Sequence, residues 1–468
     1  MMFHRAKRLF AQFTCAAAVA LCAAPASVAA QAFGLNEIGS CAIARAFATT
    51  ASPCRDASTI YWNSAAATRL DGWNVSAGAA SIGVNGSFSQ DTTGRLYNAT
   101  VPNTIVPHAF VNYHAAGSKA AWGIGLYVPY GLTSQWSTDF PGRFEAQKAT
   151  LATIYVQPNF AWQITPKWSV GGGPIIGHSS VELIRGVDLS AQPTPAGVSF
   201  GQLGIAAGTQ FATASLKGSA MGYGAQVAIS GQPTPQWSVG VRFLTPVEFK
   251  YDNADASFTQ VPTNLVLGGT VQPPFSAGTP VDALVGAQFT TGGALVAQKA
   301  STKITHPAQV QAGAAYSGFT NWLLEADYAW VGWKRFNELP ITFDNAALNQ
   351  TLLEAYNNSS AIRLGAEYTI PSDGWKLRAG FAGVASAAPP ETVTPLLPEQ
   401  DRTYWTLGAG IPIMKTWGID ASYAHVGSPG ARGRIVPRTS SAQTAAQLNT
   451  GVYRLSANVF SFTIKASF

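Results

Sequence analysis

Residues 452–468 read VYRLSANVFSFTIKASF, and the architecture of the chain can be worked out from this C-terminal stretch. Its last apolar residues, Phe462, Ile464, Ala466 and Phe468, stand at every second position. In a β-strand, successive side chains point to opposite faces, so residues at every second position share one face. The stretch therefore predicts a long strand with one apolar face.

The same alternation recurs along the chain and predicts fourteen strands joined by alternating short turns and long connections. An even strand number and this turn asymmetry are typical of bacterial outer-membrane barrels. The predicted strands are 73–90, 104–115, 120–133, 148–164, 168–183, 221–229, 237–251, 304–315, 321–333, 360–369, 375–381, 404–411, 416–425 and 452–468. The long connections are 134–147, 184–220, 252–303, 382–403 and 426–451.

The composition favours a membrane location for these strands. Only 11% of the 468 residues are charged, against about 25% in ordinary soluble domains. Aromatics at 11% argue against disorder, and no apolar run after residue 30 is long enough for a membrane helix. Tryptophans at the strand ends are typical of interfacial girdles: Trp162, Trp168, Trp237, Trp322, Trp375 and Trp417.

We therefore predict an all-β membrane protein, a 14-stranded antiparallel outer-membrane β-barrel. The terminal Phe468 on an amphipathic strand resembles the insertion signal of such barrels. The alternative is a secreted β-sandwich in which the tryptophans belong to the core.

Residues 1–30 have the pattern of a secretory signal peptide. Arg5, Lys7 and Arg8 precede a mostly apolar run, and small residues stand before Gln31. The alternative is a membrane anchor, but the run is short and rich in alanine. Cleavage before Gln31 would lower the formal net charge from +6 to +3, so the basic balance does not indicate a nucleic-acid partner. The predicted location is the outer membrane of a Gram-negative bacterium.

Residues 31–72 do not alternate as a strand, and we predict a partly helical hatch that plugs the lumen of the barrel formed by 73–468. Cys41 and Cys54 lie in this segment. In an oxidising compartment an isolated nearby pair is expected to form a disulfide. A metal site or two free thiols are the alternatives.

Several short motifs, in this order and spacing, resemble the FadL family of outer-membrane channels for hydrophobic compounds, which includes fatty-acid and toluene transporters. The resemblance covers essentially the whole mature chain. Its motifs are AFGLNE at 32–37, DASTIYWN at 56–63, the triplet Asn63-Ser64-Ala65, PYGLT at 129–133 and LPEQDR at 397–402.

The resemblance implies a hatch, and a kinked strand at Pro129, Tyr130 and Gly131 where the barrel wall opens sideways. Two motifs depart from the family pattern. The triplet has Ser64 where the family has proline, which predicts a looser turn, and Glu399 replaces the first Asp of the family's Pro-Asp-x-Asp-Arg motif. The other positions of that motif are Pro398, Asp401 and Arg402.

For the ligand, the resemblance points to Arg185. By its spacing from the glycine run at 171–173, it matches a basic residue of the fatty-acid pocket. Arginine can bind a carboxylate through paired donors, although a solvated arginine at a strand end is the alternative. The family's second basic residue has no counterpart, because 337–362 contains no Lys or Arg. The clamp is thus half present, which favours a neutral or weakly polar apolar ligand over a fatty acid.

The resemblance implies passive uptake of hydrophobic molecules, such as long-chain fatty acids or aromatic compounds. We expect capture by connections 134–147 and 184–220, lateral release near Gly131, no cofactor and no metal. The expected partners are the ligand, outer-membrane lipid and lipopolysaccharide, and the expected state is a monomer. The alternatives are an adhesin or structural barrel and, because His178 neighbours Ser179 and Ser180, a barrel lipase. No sequence motif of an enzyme is present.

Overall fold

The computed structural model describes residues 32–194, 197–268, 276–433 and 450–468. The predicted signal peptide at 1–30 lies outside these ranges. Within them, no helix is both long and apolar enough to cross a membrane.

The described chain consists of strands with a few short helices. The strands are β1 Gly72–Gln90, β2 Leu96–Asn98, β3 Thr104–His114, β4 Ala120–Gln135, β5 Lys148–Thr165, β6 Trp168–Asp188, β7 Gln210–Gly231, β8 Trp237–Leu244, β9 Val247–Gln260, β10 Gln298–His306, β11 Gln309–Tyr316, β12 Trp322–Val331, β13 Glu338–Phe343, β14 Gln350–Leu353, β15 Ser359–Thr369, β16 Lys376–Val384, β17 Arg402–Pro412, β18 Trp417–Gly427, β19 Ala431–Gly433 and β20 Gly451–Ser467. The α-helices are α1 Ser40–Ala44, α2 Thr59–Trp62 and α3 Val281–Gly286. The 3-10 helices are Ser64–Arg69, Pro141–Phe144, Phe200–Leu203, Ala287–Phe289, Trp333–Arg335, Ala346–Leu348 and Pro390–Thr392.

The strands close into an antiparallel barrel with fourteen positions, as predicted. Ten positions are single strands, and four are split into two pieces each: β8 with β9, β10 with β11, β12 with β13, and β14 with β15. The last strand, β20, pairs with β1 over the full length from Asn74↔Ser467 to Gln90↔Gly451. Strands β2 and β19 lengthen the rim beside β1 and β20.

Two predicted connections are too long. Strand β6 continues to Asp188 and β7 starts at Gln210, and β9 continues to Gln260 while β10 starts at Gln298. The connections are therefore 189–209 and 261–297. The prediction missed these strand ends because their outward positions carry polar residues such as Lys217 instead of apolar ones, so the period-two contrast in polarity disappears.

The outer wall exposes a band of large apolar side chains. Trp122, Ile176, Tyr223, Trp405 and Phe460 are examples of outward residues that are exposed, while their strand neighbours point into a packed interior. Five of the six predicted girdle tryptophans are exposed at the strand ends, at 40% to 46% of their surface: Trp162, Trp168, Trp237, Trp375 and Trp417. An apolar outer band flanked by aromatics is the surface that a bilayer covers.

Candidate functional site: a filled lumen beside a break in the wall

The segment before β1 fills the barrel interior. Helices α1 and α2 and the 3-10 helix Ser64–Arg69 contact strands around the circumference, among them β4, β5, β6, β7, β16, β17, β18 and β20. A disulfide joins Cys41 to Cys54, as predicted. Trp62 is fully buried and its Nε1 donates to the carbonyl oxygen of Ile38 at 2.9 Å, which ties the two helices together.

Two carboxylates of β12 hold this segment by its backbone. Asp327 Oδ2 accepts from the amides of Thr49 and Thr50, both at 2.9 Å. Glu325 Oε1 accepts from the amides at positions 51 and 52, at 2.7 and 3.1 Å, and Glu325 Oε2 lies 3.6 Å from Arg45 Nη1. Four consecutive backbone amides of the segment thus have their acceptors on one strand of the wall, which anchors the segment there.

The Asn63-Ser64-Ala65 triplet forms the turn between α2 and the following 3-10 helix. Asn63 Oδ1 accepts from the amide of Ala65 at 3.2 Å and caps that helix. Its Nδ2 donates to the carbonyl oxygens of Thr50 at 2.7 Å and of Ile229 in β7 at 3.0 Å. The amide side chain thus joins the plug segment to itself and to the wall.

The barrel wall is interrupted between β3 and β4. Their ladder ends at the pair Ala109↔Leu126 and contact returns only at Ala99↔Trp136. Between these pairs, in the described chain, residues 127–134 have no ladder partner on β3. A register shift separates Tyr127 from residue 130 on the β5 side of β4. Prolines fit such an edge because they lack an amide donor, and Pro129 lies within it.

The N-terminal peptide occupies this break from the inside. The amide of Gly131 donates to the carbonyl oxygen of Phe33 at 2.9 Å, and the amide of Leu35 donates to that of Pro129 at 2.8 Å. Gly131 has a spatial reason to be glycine, because a Cβ there would lie 2.9 Å from Leu35 Cδ1. Tyr130 forms the bridge with Gly34.

The motif at 397–402 fixes the start of the same peptide. Glu399 Oε1 accepts from the amide of Ala32 at 2.6 Å, and Arg402 Nη2 donates to Glu399 Oε2 at 3.0 Å and to the carbonyl oxygen of Ala32 at 3.3 Å. Burial raises the pKa of the Glu399 carboxyl, and the charge of Arg402 partly offsets that effect. Asp401 accepts from the amide of Ser386 at 3.3 Å, while Pro398 accepts from the side chain of Gln400.

Phe33 sits in a cage of aromatic rings above the plug. Its ring centroid lies 4.6 Å from that of Trp333, 5.3 Å from Phe336, 5.8 Å from His306 and 6.0 Å from Tyr130. Edge-to-face aromatic contacts of this kind are favourable at centroid distances of 4.5–7 Å. The cage thus holds an apolar ring beside the break in the wall.

A second apolar cluster lies in the extracellular connections 189–209 and 261–297. Leu189, Phe200, Leu267, Val281 and Val285 pack together, and a groove of about 300 Å³ opens between the two connections. Residues of the predicted connection 184–220 line this groove. Connection 134–147 contacts the same connection through Arg143, whose Nη2 donates to the carbonyl oxygen of Gly208 at 3.1 Å. Connection 261–297 was not assigned a role from the sequence.

Arg185 lies in the last part of β6, which ends at Asp188. It pairs with Ala214 of β7 and shares the lumen-facing parity of Ser179, and it is half-buried. His178 and Ser179 point to opposite sides of the wall: His178 is exposed, and Ser179 Oγ lies 2.9 Å from Thr153 Oγ1. Adjacent strand positions thus keep this histidine and serine apart.

A closed antiparallel barrel whose own N-terminal segment fills the lumen, beside a gap in the wall, defines a plugged outer-membrane barrel. The family described as outer membrane protein transport protein (OMPP1/FadL/TodX) matches residues 20–468, and the chain belongs to this family. Its members are β-barrel proteins of the outer membrane of Gram-negative bacteria.

Curated relatives and solved structures agree with this assignment. The chain is 26% identical over 439 residues to the "Long-chain fatty acid transport protein" of Escherichia coli O6:H1, covering 90% of this chain and 92% of the relative. It is 25% identical over 425 residues to the "47 kDa outer membrane protein" of Pasteurella multocida, covering 89% and 91%.

Similar folds include a Pseudomonas aeruginosa FadL homologue, with a TM-score of 0.78, 19% identity and coverage of 94% of this chain and 100% of that one. The Ralstonia pickettii toluene transporter TbuX follows with a TM-score of 0.64, 17% identity and coverage of 94% and 99%.

The sequence reasoning missed the aromatic cage and two buried arginines, Arg242 and Arg363. A signal for both arginines was present, because each stands at a lumen-facing position of a strand with apolar outward neighbours. No sequence signal indicated the cage, because the alternation of strand residues does not show that the segments of Phe33, Trp333 and Phe336 meet in space.

Proposed function

We propose that the protein is a passive channel that takes hydrophobic molecules across the outer leaflet and releases them sideways. The extracellular groove would capture the ligand, the aromatic cage would receive it when Phe33 leaves, and the gap between β3 and β4 would release it. The observation that carries this proposal is the ladder break at 127–134, with the N-terminal peptide bound along its edge. Related proteins are named for transport of long-chain fatty acids and toluene.

Lateral release has a physical reason. Lipopolysaccharide blocks direct entry of apolar solutes, and an axial route through the plug would lead them past Glu325, Asp327 and Arg45. An opening at the height of exposed apolar residues such as Leu126 and Ile105 leads instead into the bilayer.

The substitution Gly131→Arg tests the lateral route. The new side chain would collide with Leu35 and fill the gap, so uptake of both oleate and toluene should fall by about tenfold or more, equivalent to a barrier increase of about 1.4 kcal/mol. Gly131→Ala is the matched control, because the tip of Leu35 can move away from one methyl group. Unchanged uptake in Gly131→Arg, with the variant folded in the membrane, would exclude this exit.

We further propose that lipopolysaccharide contacts the outer wall above the apolar band. Lys148, Lys217, Lys250 and Lys303 lie there on β5, β7, β9 and β10, where they form ion pairs with Glu182 and Glu248 that lipid phosphates could replace. Lys217 and Lys250 line an outer groove of about 680 Å³ together with the carboxylates of Glu182, Asp252 and Asp255. Ammonium groups at this height can bind lipid phosphates. We would replace the two groove lysines with alanine, and a loss of co-purifying lipopolysaccharide would support the contact.

We also propose that the protein is a monomer, which light scattering of the purified protein tests.

Residues 1–30 are proposed to be removed on export. The basic start and the small residues before Gln31 support this, and mass spectrometry of the protein from the membrane measures it directly. A mature N-terminus at Gln31 would leave Ala32 beside Glu399, as the hydrogen bond between them requires.

A further inference from the structure

The aromatic cage around Phe33 contains two buried ring nitrogens that have no hydrogen-bond partner in the described chain. They are His306 Nε2 and Trp333 Nε1, and both side chains are fully buried. Their rings lie beside the Phe33 ring, at centroid distances of 5.8 and 4.6 Å. Buried polar groups of native proteins almost always have a partner, and an unsatisfied one is costly. The cage therefore has a hydrogen-bonding capacity that its own residues leave unused.

His306 is held in place through its other nitrogen. The Tyr155 hydroxyl lies 2.9 Å from His306 Nδ1, and the two nitrogens of an imidazole point in different directions, so Nε2 is turned away from this hydroxyl. The ring also packs against Tyr130 and Phe249, at 4.0 and 4.7 Å between centroids. Nε2 donates when the tyrosine donates to Nδ1, and it accepts when the imidazole proton lies on Nδ1. It can thus bond either a carbonyl or a hydroxyl group.

Trp333 contributes a nitrogen that can only donate. The residue begins the 3-10 helix Trp333–Arg335, which follows β12. Its indole packs against Tyr130 and Tyr356 as well as Phe33, with centroid distances of 6.2 and 6.3 Å to the two tyrosines. These neighbours meet the indole as rings, and none of them accepts from Nε1. An oxygen atom is therefore the group that this N–H lacks.

Phe33 shows the size of the ring that the cage accepts. Its phenyl group lies among four other rings in edge-to-face or tilted contacts, but it carries no polar atom. A ligand ring of the same size with one oxygen can make the same aromatic contacts and also bond the ring nitrogens. A neutral oxygen fits best, because an ionised carboxylate loses far more hydration energy on burial than a hydroxyl or carbonyl group does.

We propose that the cage selects small aromatic molecules that carry one neutral hydroxyl or carbonyl group. The ligand ring takes the place of the Phe33 ring, its oxygen accepts from Trp333 Nε1, and His306 Nε2 is the second polar contact open to it. This rests on the proposed uptake function and names the ligand class that the cage prefers. It also narrows the sequence-based expectation of a neutral or weakly polar apolar ligand, which specified no polar group.

The experiment compares p-cresol with toluene, which differ by a single hydroxyl group, in calorimetric titrations of the purified full-length protein. Each affinity is corrected for the measured partition of the ligand into detergent alone. Wild type should bind p-cresol about tenfold more tightly than toluene, as expected when a ligand satisfies a buried donor. Equal affinities, or a preference for toluene, would overturn the inference without any variant.

Trp333→Phe removes the N–H and keeps a ring in the cage. It should weaken p-cresol binding about three- to tenfold and leave toluene binding unchanged. Trp405→Phe, which removes an exposed indole from the outer wall, is the matched control and should change neither ligand. An equal loss for both ligands in Trp333→Phe would mean that the indole only packs, and no loss for either would place its N–H away from the ligand. Both results would overturn the assigned role.

His306 needs a paired substitution, because its loss alone would leave the Tyr155 hydroxyl without its partner. His306→Phe combined with Tyr155→Phe removes both groups and should reduce the binding of p-cresol more than that of toluene. This variant carries the test if Trp333→Phe does not fold, which heat-modifiable migration in detergent gels decides. Absence of uptake of p-cresol, toluene and oleate alike would instead refute the proposed function, whereas uptake with no preference between p-cresol and toluene would refute only the selectivity of the cage.

Discussion

Arg185 and Arg242 stand at two depths of the same lumen, and their surroundings differ. Arg185 is half-buried near the extracellular end of β6, where water can still hydrate a ligand's head group. Arg242 is closed off from solvent beside the plug. A carboxylate that entered this lumen would lose water as it moved inward, so we expect a half-hydrated cation such as Arg185 to matter for an acidic ligand and not for a neutral one.

Replacing Arg185 with alanine should weaken oleate binding and leave toluene nearly untouched. A charge-assisted contact contributes roughly 1.5–3 kcal/mol, so the expected loss is about ten- to a hundred-fold. Equilibrium binding of both ligands to the purified variant measures it. An equal loss for oleate and toluene would mean that Arg185 supports the strand, and no loss for either would place it outside the ligand path.

At the scale of elements, the alternation of Trp73, Val75 and their counterparts was sufficient to place every barrel strand, because a lipid-facing wall imposes apolar residues at every second outward position. The alternation did not predict that four positions of the barrel are each split into two strands. Strand β10 ends at His306 and β11 starts at Gln309, on either side of Pro307, and the two pieces pair with different strands, β9 and β8. The site was predictable only in part: Gly131 came from a motif, whereas the aromatic cage around Phe33 brings together rings that are far apart in the sequence.

The plug is a small element that depends on covalent and polar support. Closing a loop of about fifteen residues by a disulfide contributes on the order of 3 kcal/mol in the chain-entropy model, and Cys41 and Cys54 are 13 positions apart. The segment packs its own rings together, with Phe47 and Tyr61 against Trp62, and carboxylates of the wall hold its backbone.

The extracellular connection 261–297 is fastened by one carboxylate. Asp282 accepts from the amide of Thr263 at 2.9 Å, from its hydroxyl at 2.7 Å and from the amide of Asn264 at 3.0 Å. Partial burial would raise the pKa of Asp282, but these hydrogen bonds outweigh it and hold the pKa below its ordinary value of 3.8. The stabilisation is therefore complete above that ordinary value and is lost as the pH falls through the lower pKa of the folded loop.

Asp282→Asn should imitate protonated Asp282 at neutral pH, because an amide is uncharged and accepts hydrogen bonds more weakly than a carboxylate. We expect faster thermolysin cleavage in 261–268 of the variant, together with weaker capture of apolar ligands by the adjoining groove. Asp252→Asn, an exposed carboxylate of β9, is the control. Equal cleavage rates in the two variants would show that the aspartate does not fasten the loop.

At the scale of the whole molecule, the barrel separates two routes, one along its axis and one through its wall. The axial route is closed by the plug, which Glu325 and Asp327 bind through four backbone amides. The wall route is closed only by a short peptide along the edge at Pro129 and Gly131.

The double substitution Glu325→Ala, Asp327→Ala should open the axial route as well. It leaves four buried amides without acceptors and Arg45 without its counter-ion, so the plug loosens on the β12 side. Single-channel recording in planar bilayers should then show ion conductance that wild type lacks. Glu248→Ala, Asp255→Ala removes two exposed carboxylates of β9 and should stay closed. Conductance in wild type would mean that the plug does not seal the lumen. A plug variant that conducts no more than the control would mean that other contacts seal it.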